Sequence, residues 1–135
     1  MGSTCSRRTL IIGTGAAVVG GGALVAGCGE VVRTAEPPPP GTALGTASSI
    51  PVGGGQILAE AGVVVCQPQE GVFKAFSSIC THRGCAVTSV GSGQIVCDCH
   101  HSVFSMTDGS VTDGPAEQPL PEFKLELDGD DIRAV

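Results

Sequence analysis

Cys80-Thr81-His82-Arg83-Gly84-Cys85 and, a short interval later, Cys97-Asp98-Cys99-His100-His101-Ser102 hold four of the seven cysteines and all three histidines of this 135-residue chain. A chain so poor in histidine that sets every one beside a thiol is organised around ligand chemistry. Cys80-x-His82 and Cys97-x-x-His100 offer two thiolates and two imidazoles. Those donors suit zinc, copper or iron–sulfur clusters and exclude an all-oxygen calcium or magnesium site. Zinc ribbons and fingers favour Cys-x(2–4)-Cys pairs, whereas each box here pairs one Cys with one His. Four oxidised cysteines without a metal would leave the histidines without a role.

Outward from the boxes the chain reads as short strands and turns. Gln56-Ile57-Leu58 and Val63-Val64-Val65 are apolar or β-branched runs, Pro68-Gln69-Glu70-Gly71 is a turn, and Val72–Phe76 alternates. Gly91-Ser92-Gly93 turns the chain into Gln94-Ile95-Val96. Val103-Phe104 and Ser110-Val111 flank the turn Thr107-Asp108-Gly109. Phe123–Leu127 alternates as one strand, and Asp128-Gly129-Asp130 turns it back into Ile132–Val135. No segment past residue 50 has a helical period, so the predicted class is all-β, in short antiparallel strands.

The N-terminal third has a different character. Residues 1–28 carry Arg7 and Arg8, then an apolar run from Leu10 to Ala26, then small residues before Cys28, the layout of an export signal. As a helix the run would extend roughly 25 Å, short of the ~30 Å hydrocarbon core. Ser6-Arg7-Arg8-Thr9-Leu10-Ile11 resembles the twin-arginine signal of proteins exported folded. Val25-Ala26-Gly27-Cys28 resembles a lipobox, which implies a lipidated Cys28. Residues 29–49, with Pro37-Pro38-Pro39-Pro40 among small residues, are expected to be a flexible linker. That leaves 50–135 as the single domain, small enough to need a metal or disulfide staple. There is no Trp or Tyr, and the net charge is −6. Nothing forms a basic stripe, so no nucleic-acid partner is expected.

The double box resembles that of Rieske iron–sulfur proteins, Cys-x-His-x-x-Cys followed by Cys-x-Cys-His-x-Ser. The resemblance covers about residues 50–135. It implies a small antiparallel β-sandwich with two cluster-binding loops at one tip and one [2Fe–2S] cluster, Cys80 and Cys97 on one iron and His82 and His100 on the other. It also implies a Cys85–Cys99 disulfide, Ser102 donating toward a bridging sulfide, and Gly114-Pro115-Ala116 as the proline loop closing a third side. Neutral imidazoles raise such potentials to ~ −150 to +300 mV, against about −400 mV for all-Cys plant-type ferredoxins. Several residues depart from the family pattern. Phe104 replaces a tyrosine and Asp98 a proline, both expected to lower the potential. His101 replaces a glycine, with strain expected if its φ is positive, and opens a register in which His101 rather than His100 is the ligand. Arg83 stands where quinol-oxidising members favour an apolar residue.

The function implied is electron transfer on the outer face of a bacterial membrane, with attachment through lipid on Cys28. The chain would be a stand-alone carrier or the iron–sulfur subunit of a quinol–cytochrome c oxidoreductase of the cytochrome bc type, not a catalyst by itself. Its partners would be redox proteins and quinol. The competing reading is a zinc- or disulfide-stapled extracellular binding module with no redox role. Cys66 is left over, and its place in an alternating strand predicts a buried free thiol.

Overall fold

The structure is a computed structural model and describes residues 35–135. The signal-like segment, Cys28 and the first residues of the expected linker lie outside the described residues. Eleven strands make up the fold: β1 Ala43–Thr46, β2 Gly55–Leu58, β3 Val63–Gln69, β4 Val72–Ser77, β5 Ser89–Gly91, β6 Gln94–Cys97, β7 Ser102–Ser105, β8 Val111–Asp113, β9 Glu122–Phe123, β10 Leu125–Asp128 and β11 Asp131–Ala134. The only helical element among the described residues is the 3₁₀ turn Ala47–Ser49. The class is all-β, and every strand pair is antiparallel. The strands form three small sheets, ordered β1-β11-β10, β2-β3-β4-β9 and β5-β6-β7-β8.

β3 explains how so short a chain builds its interior. Successive strand residues face opposite sides, and both sides of β3 are covered. Val64 and Cys66 face a core with Phe76, Ile95, Phe104, Met106 and the site cysteines Cys80 and Cys97. Val63 and Val65 face a second core with Leu44, Ile50, Phe123 and Ile132. The unbroken apolar run is therefore a strand buried on both faces. Gly55 of β2 is small for a local reason, since a Cβ there would stand 2.8 Å from Val90 and against the Val65 carbonyl.

Three boundaries differ from the sequence reading. Pro68 and Gln69 belong to β3, and the β3–β4 turn is only Glu70-Gly71. The proline is tolerated because the ladder is irregular between Cys66 and Gln69, where no N–H is required of it. The buried Gln67 side chain closes this turn, accepting from Gly71 N (3.0 Å) and donating to Ile50 O (2.5 Å). Phe123–Leu127 is two strands. Phe123 pairs with Ala75 in one sheet and Leu125 with Ala134 in another, so the chain changes sheets at Lys124.

The expected linker is part of the fold from its second half onward. Ala43–Thr46 is β1, paired with β11, and Leu44 is fully buried. Gly41 N donates to Ala134 O (2.7 Å) and Ala134 N to Thr42 O (2.9 Å). Pro38 is buried. The folded unit therefore begins before Ile50, because the sheet next to β11 needs a partner strand that the Pro- and Gly-rich composition conceals.

Candidate metal centre

One hairpin brings the two boxes together. β5 and β6 pair through Ser89–Val96 and turn at Ser92-Gly93, both at positive φ (52° and 79°), the backbone a two-residue hairpin turn requires. The first box lies ahead of β5 and the second follows β6, so both emerge at the same end of this sheet. The first box is closed by its own backbone: Cys80 N donates to Cys85 O (2.6 Å), Gly84 N to Cys80 O (3.0 Å) and Val87 N to Ser78 O (2.8 Å). Gly84 supplies the positive φ (74°) for this tight return. The second box is the loop between the paired residues Cys97 and Ser102, and Asp98 N donates to Thr88 Oγ1 (3.1 Å) in the segment that joins the first box to β5.

Within this frame Cys80 and Cys97 are buried free thiols. Burial pushes the Cys97 thiol up, while the backbone N–H groups of Cys99 and His100 directed at its sulfur pull the other way; the Cys80 thiol, in hydrogen-bonding reach, adds to the rise. The His82 and His100 rings meet edge to face, centroids 4.7 Å apart. His82 is half-buried, and its Nδ1 is buried with no hydrogen-bond partner. A buried, unpaired ring nitrogen is costly unless it serves as a ligand. Two free thiols buried in one core, two imidazoles meeting edge to face and one orphaned ring nitrogen fit a cluster held by two cysteines and two histidines. Cys85 and Cys99 are joined in a disulfide, with a Cα–Cα distance of 6.4 Å, linking the two boxes covalently.

A third loop closes over the site and is fastened to both boxes. Ala116 N donates to the buried Ser102 Oγ (3.3 Å), so the serine oxygen accepts on one side and keeps its own proton to donate. Thr81 Oγ1 donates to Gln118 O (2.6 Å). Gly114, at φ 89°, lies so close to box two that a Cβ would stand 2.5 Å from Ser102 Cα and collide with the His101 carbonyl. Pro115 itself is exposed; its neighbours do the fastening. Ala116 was expected here as part of the proline loop, whereas Thr81 and Gln118 were not singled out by sequence reasoning. Thr81 carried a signal, a hydroxyl inside a ligand box, while the contact of Gln118 depends on long-range placement.

Phe104 is fully buried in the core that contains Cys97. It pairs with Ile95 and shares a face of β7 with Ser102, the residue that pairs with Cys97. His101 has φ 63° and is exposed, so the strain expected on sequence is present. Arg83 and Asp98 are exposed on the rim; the ion pairs among the described residues, Lys74–Glu122 (2.7 Å) and Arg133–Asp131 (3.5 Å), involve neither. Cys66 is a buried free thiol, Sγ 3.6 Å from Met106 O and 3.7 Å from Lys74 O. Burial pushes it up to about 12, with Lys74 opposing and Glu122 adding. No helix among the described residues is long and apolar enough to cross a membrane.

Comparison with known proteins bears on the fold and the family. The family model described as the Rieske [2Fe-2S] domain matches residues 42–124. The cytochrome b6-f complex iron-sulfur subunit of Chlorobaculum thiosulfatiphilum is 36% identical over 66% of this chain and 50% of its own length. The protein of the same name from Gloeobacter violaceus is 31% identical over 89% of this chain and 61% of its own. The chain thus spans about half the length of the curated relatives it matches. Among solved structures, the plasma membrane Rieske protein PetC3 of Synechocystis PCC 6803 superposes with a TM-score of 0.57 at 29% identity, over 70% of this chain and 98% of that one.

Proposed function

The chain belongs to the Rieske [2Fe–2S] family, and from that premise we propose that it carries single electrons between membrane-associated partners through one cluster, held by Cys80 and Cys97 on one iron and His82 and His100 on the other. When bound, the cluster supplies one-electron redox chemistry at a potential raised by its neutral imidazoles. The observation that carries the assignment is the orphaned Nδ1 of the His82 ring that meets His100, in a fold that keeps Cys80 and Cys97 as free thiols buried in one core. With Nδ1 turned inward as a ligand, His82 Nε2 is left to hold a proton. The exposed ring of His100 is the edge a partner reaches first. The N–H groups of Cys99 and His100 stabilise negative charge on the Cys97 sulfur, and the Ser102 hydroxyl is free to donate into the site. The disulfide and the third loop hold both boxes in place and limit water.

Two settings fit this chemistry. The names of the relatives support a place as the iron–sulfur subunit of a quinol-oxidising cytochrome complex. Phe104 in place of a hydroxyl donor, with the exposed Arg83 and Asp98 on the rim, supports a lower-potential stand-alone carrier. Attachment by lipid on Cys28 to the outer face of the cell membrane rests on the sequence pattern of residues 6–28. A redox titration from pH 5 to 10 tests the coupling: a potential falling by about 59 mV per pH unit above an imidazole pKa supports proton-coupled quinol oxidation. A flat profile throughout supports simple carriage. Mass spectrometry of membrane-extracted protein tests the lipid, since an intact Met1 would contradict it.

A further inference from the structure

His100 is shared between two possible ligand sets. One of its ring nitrogens and the sulfurs of Cys85 and Cys99 all lie within 4.8 Å of one another. While those sulfurs are bonded together they bind no metal. Once the disulfide is opened, the same residues become two thiolates and an imidazole from two loops, a soft donor set suited to zinc. Tetrahedral zinc with bonds of about 2.3 Å to sulfur and about 2.0 Å to nitrogen spaces its ligand atoms roughly 3.5–3.8 Å apart. To reach that spacing the sulfurs part by about 1.7 Å from an ordinary bonded separation of about 2.05 Å. Cys99 and His100 are exposed and Cys85 half-buried, so a solvent ion has access and water can fill the fourth position.

We propose that Cys85, Cys99 and His100 form a zinc site in the disulfide-reduced chain, and that the disulfide guards the cluster by removing this competitor for His100. A dithiol reductant gives two electrons and two protons to the Cys85–Cys99 bond, leaving two thiols and a cyclic disulfide of the reductant. Zinc then displaces the two thiol protons as it binds. A chain exported already folded, as the twin arginines imply, would pass through a reducing compartment before the disulfide forms. There both ligand sets are open, and closing the disulfide afterwards commits His100 to one of them.

The test uses the full chain with its cluster loaded, exposed anaerobically to a dithiol with or without one equivalent of zinc, then desalted. Iron and zinc per chain are measured, and alkylation of each cysteine is mapped by peptide mass spectrometry. The expected result is about one zinc per reduced chain, alkylation of Cys85 and Cys99 slowed on the order of tenfold by zinc, and iron lost only when reductant and zinc are combined. Chain reduced and alkylated at Cys85 and Cys99 before zinc is added should take up none and keep its iron, a control that needs no variant to fold. His101→Ala should behave as the parent. Equal alkylation of Cys85 and Cys99 with and without zinc would overturn the site. Zinc uptake with iron fully retained would overturn the competition, which rests on His100 being a cluster ligand. A chain that never holds iron refutes that ligand assignment instead, and leaves the alkylation readout to decide the zinc site.

Discussion

Replacing Gly114 by alanine probes how tightly the third loop is held against the site. An L-residue at the observed φ of 89° costs about 1–2 kcal/mol. The added Cβ would stand 2.5 Å from Ser102 Cα, a backbone atom that cannot rotate away, and relieving such a contact costs about 1–3 kcal/mol. Alanine regains roughly 0.4–1 kcal/mol by restricting the unfolded chain. The net loss is about 2–4 kcal/mol, which at ~4–8 °C per kcal/mol for a domain of this size lowers Tm on the order of 10–25 °C. Gly71→Ala is the control. Its φ is 77°, but nothing lies within 4 Å of the added Cβ, so only the conformational part remains, about 1 kcal/mol. Thermal unfolding of the oxidised, cluster-loaded proteins by far-ultraviolet circular dichroism gives the comparison. Equal melting temperatures for the two variants, within ~2 °C, would refute the claim that the loop is pressed onto His101 and Ser102.

Phe104→Tyr places a hydroxyl in the core beside Cys97 and should raise the potential in a redox titration; an unchanged or lower value counts against hydrogen bonding as the missing contribution. His101→Gly relieves a non-glycine residue at φ 63° and should stabilise the protein by up to ~1 kcal/mol with an unaltered visible spectrum, whereas loss of colour would move the ligand from His100 to His101. Cys66 gives a pH signature. Its thiol is raised from 9.0 to about 12 in the folded state, so its contribution is intact below pH 9. Above that the unfolded chain ionises first, and stability falls by about 1.4 kcal/mol per pH unit, on the order of 4 kcal/mol in all by pH 12. Urea unfolding of parent and Cys66→Ala from pH 8 to 11 should show the steeper decline only in the parent, and parallel declines would contradict the burial of that thiol.

The ligand boxes were legible in the sequence because metal chemistry restricts both residue type and spacing, and Val63–Cys66 because an apolar run that short is a strand wherever both its faces are covered. Pairing was harder to see. Phe123–Leu127 keeps a clean alternation across Lys124, yet its halves join different sheets, and local period carries no record of which neighbour a strand finds. β1 was hidden for the opposite reason: Ala43-Leu44-Gly45-Thr46 has one large apolar residue, so its strand character comes from β11 beside it rather than from itself. The contacts that fasten the third loop, Thr81 to Gln118 and Ala116 to Ser102, join residues 37 and 14 positions apart. Only the arrangement of the sheets sets them.

Low-temperature EPR of the dithionite-reduced full chain reads the cluster and its ligands together. A rhombic signal of the histidine-ligated [2Fe–2S] type is expected, with about two irons per chain, abolished in His82→Ala and retained in His101→Ala. A colourless, EPR-silent protein with stoichiometric zinc would contradict it.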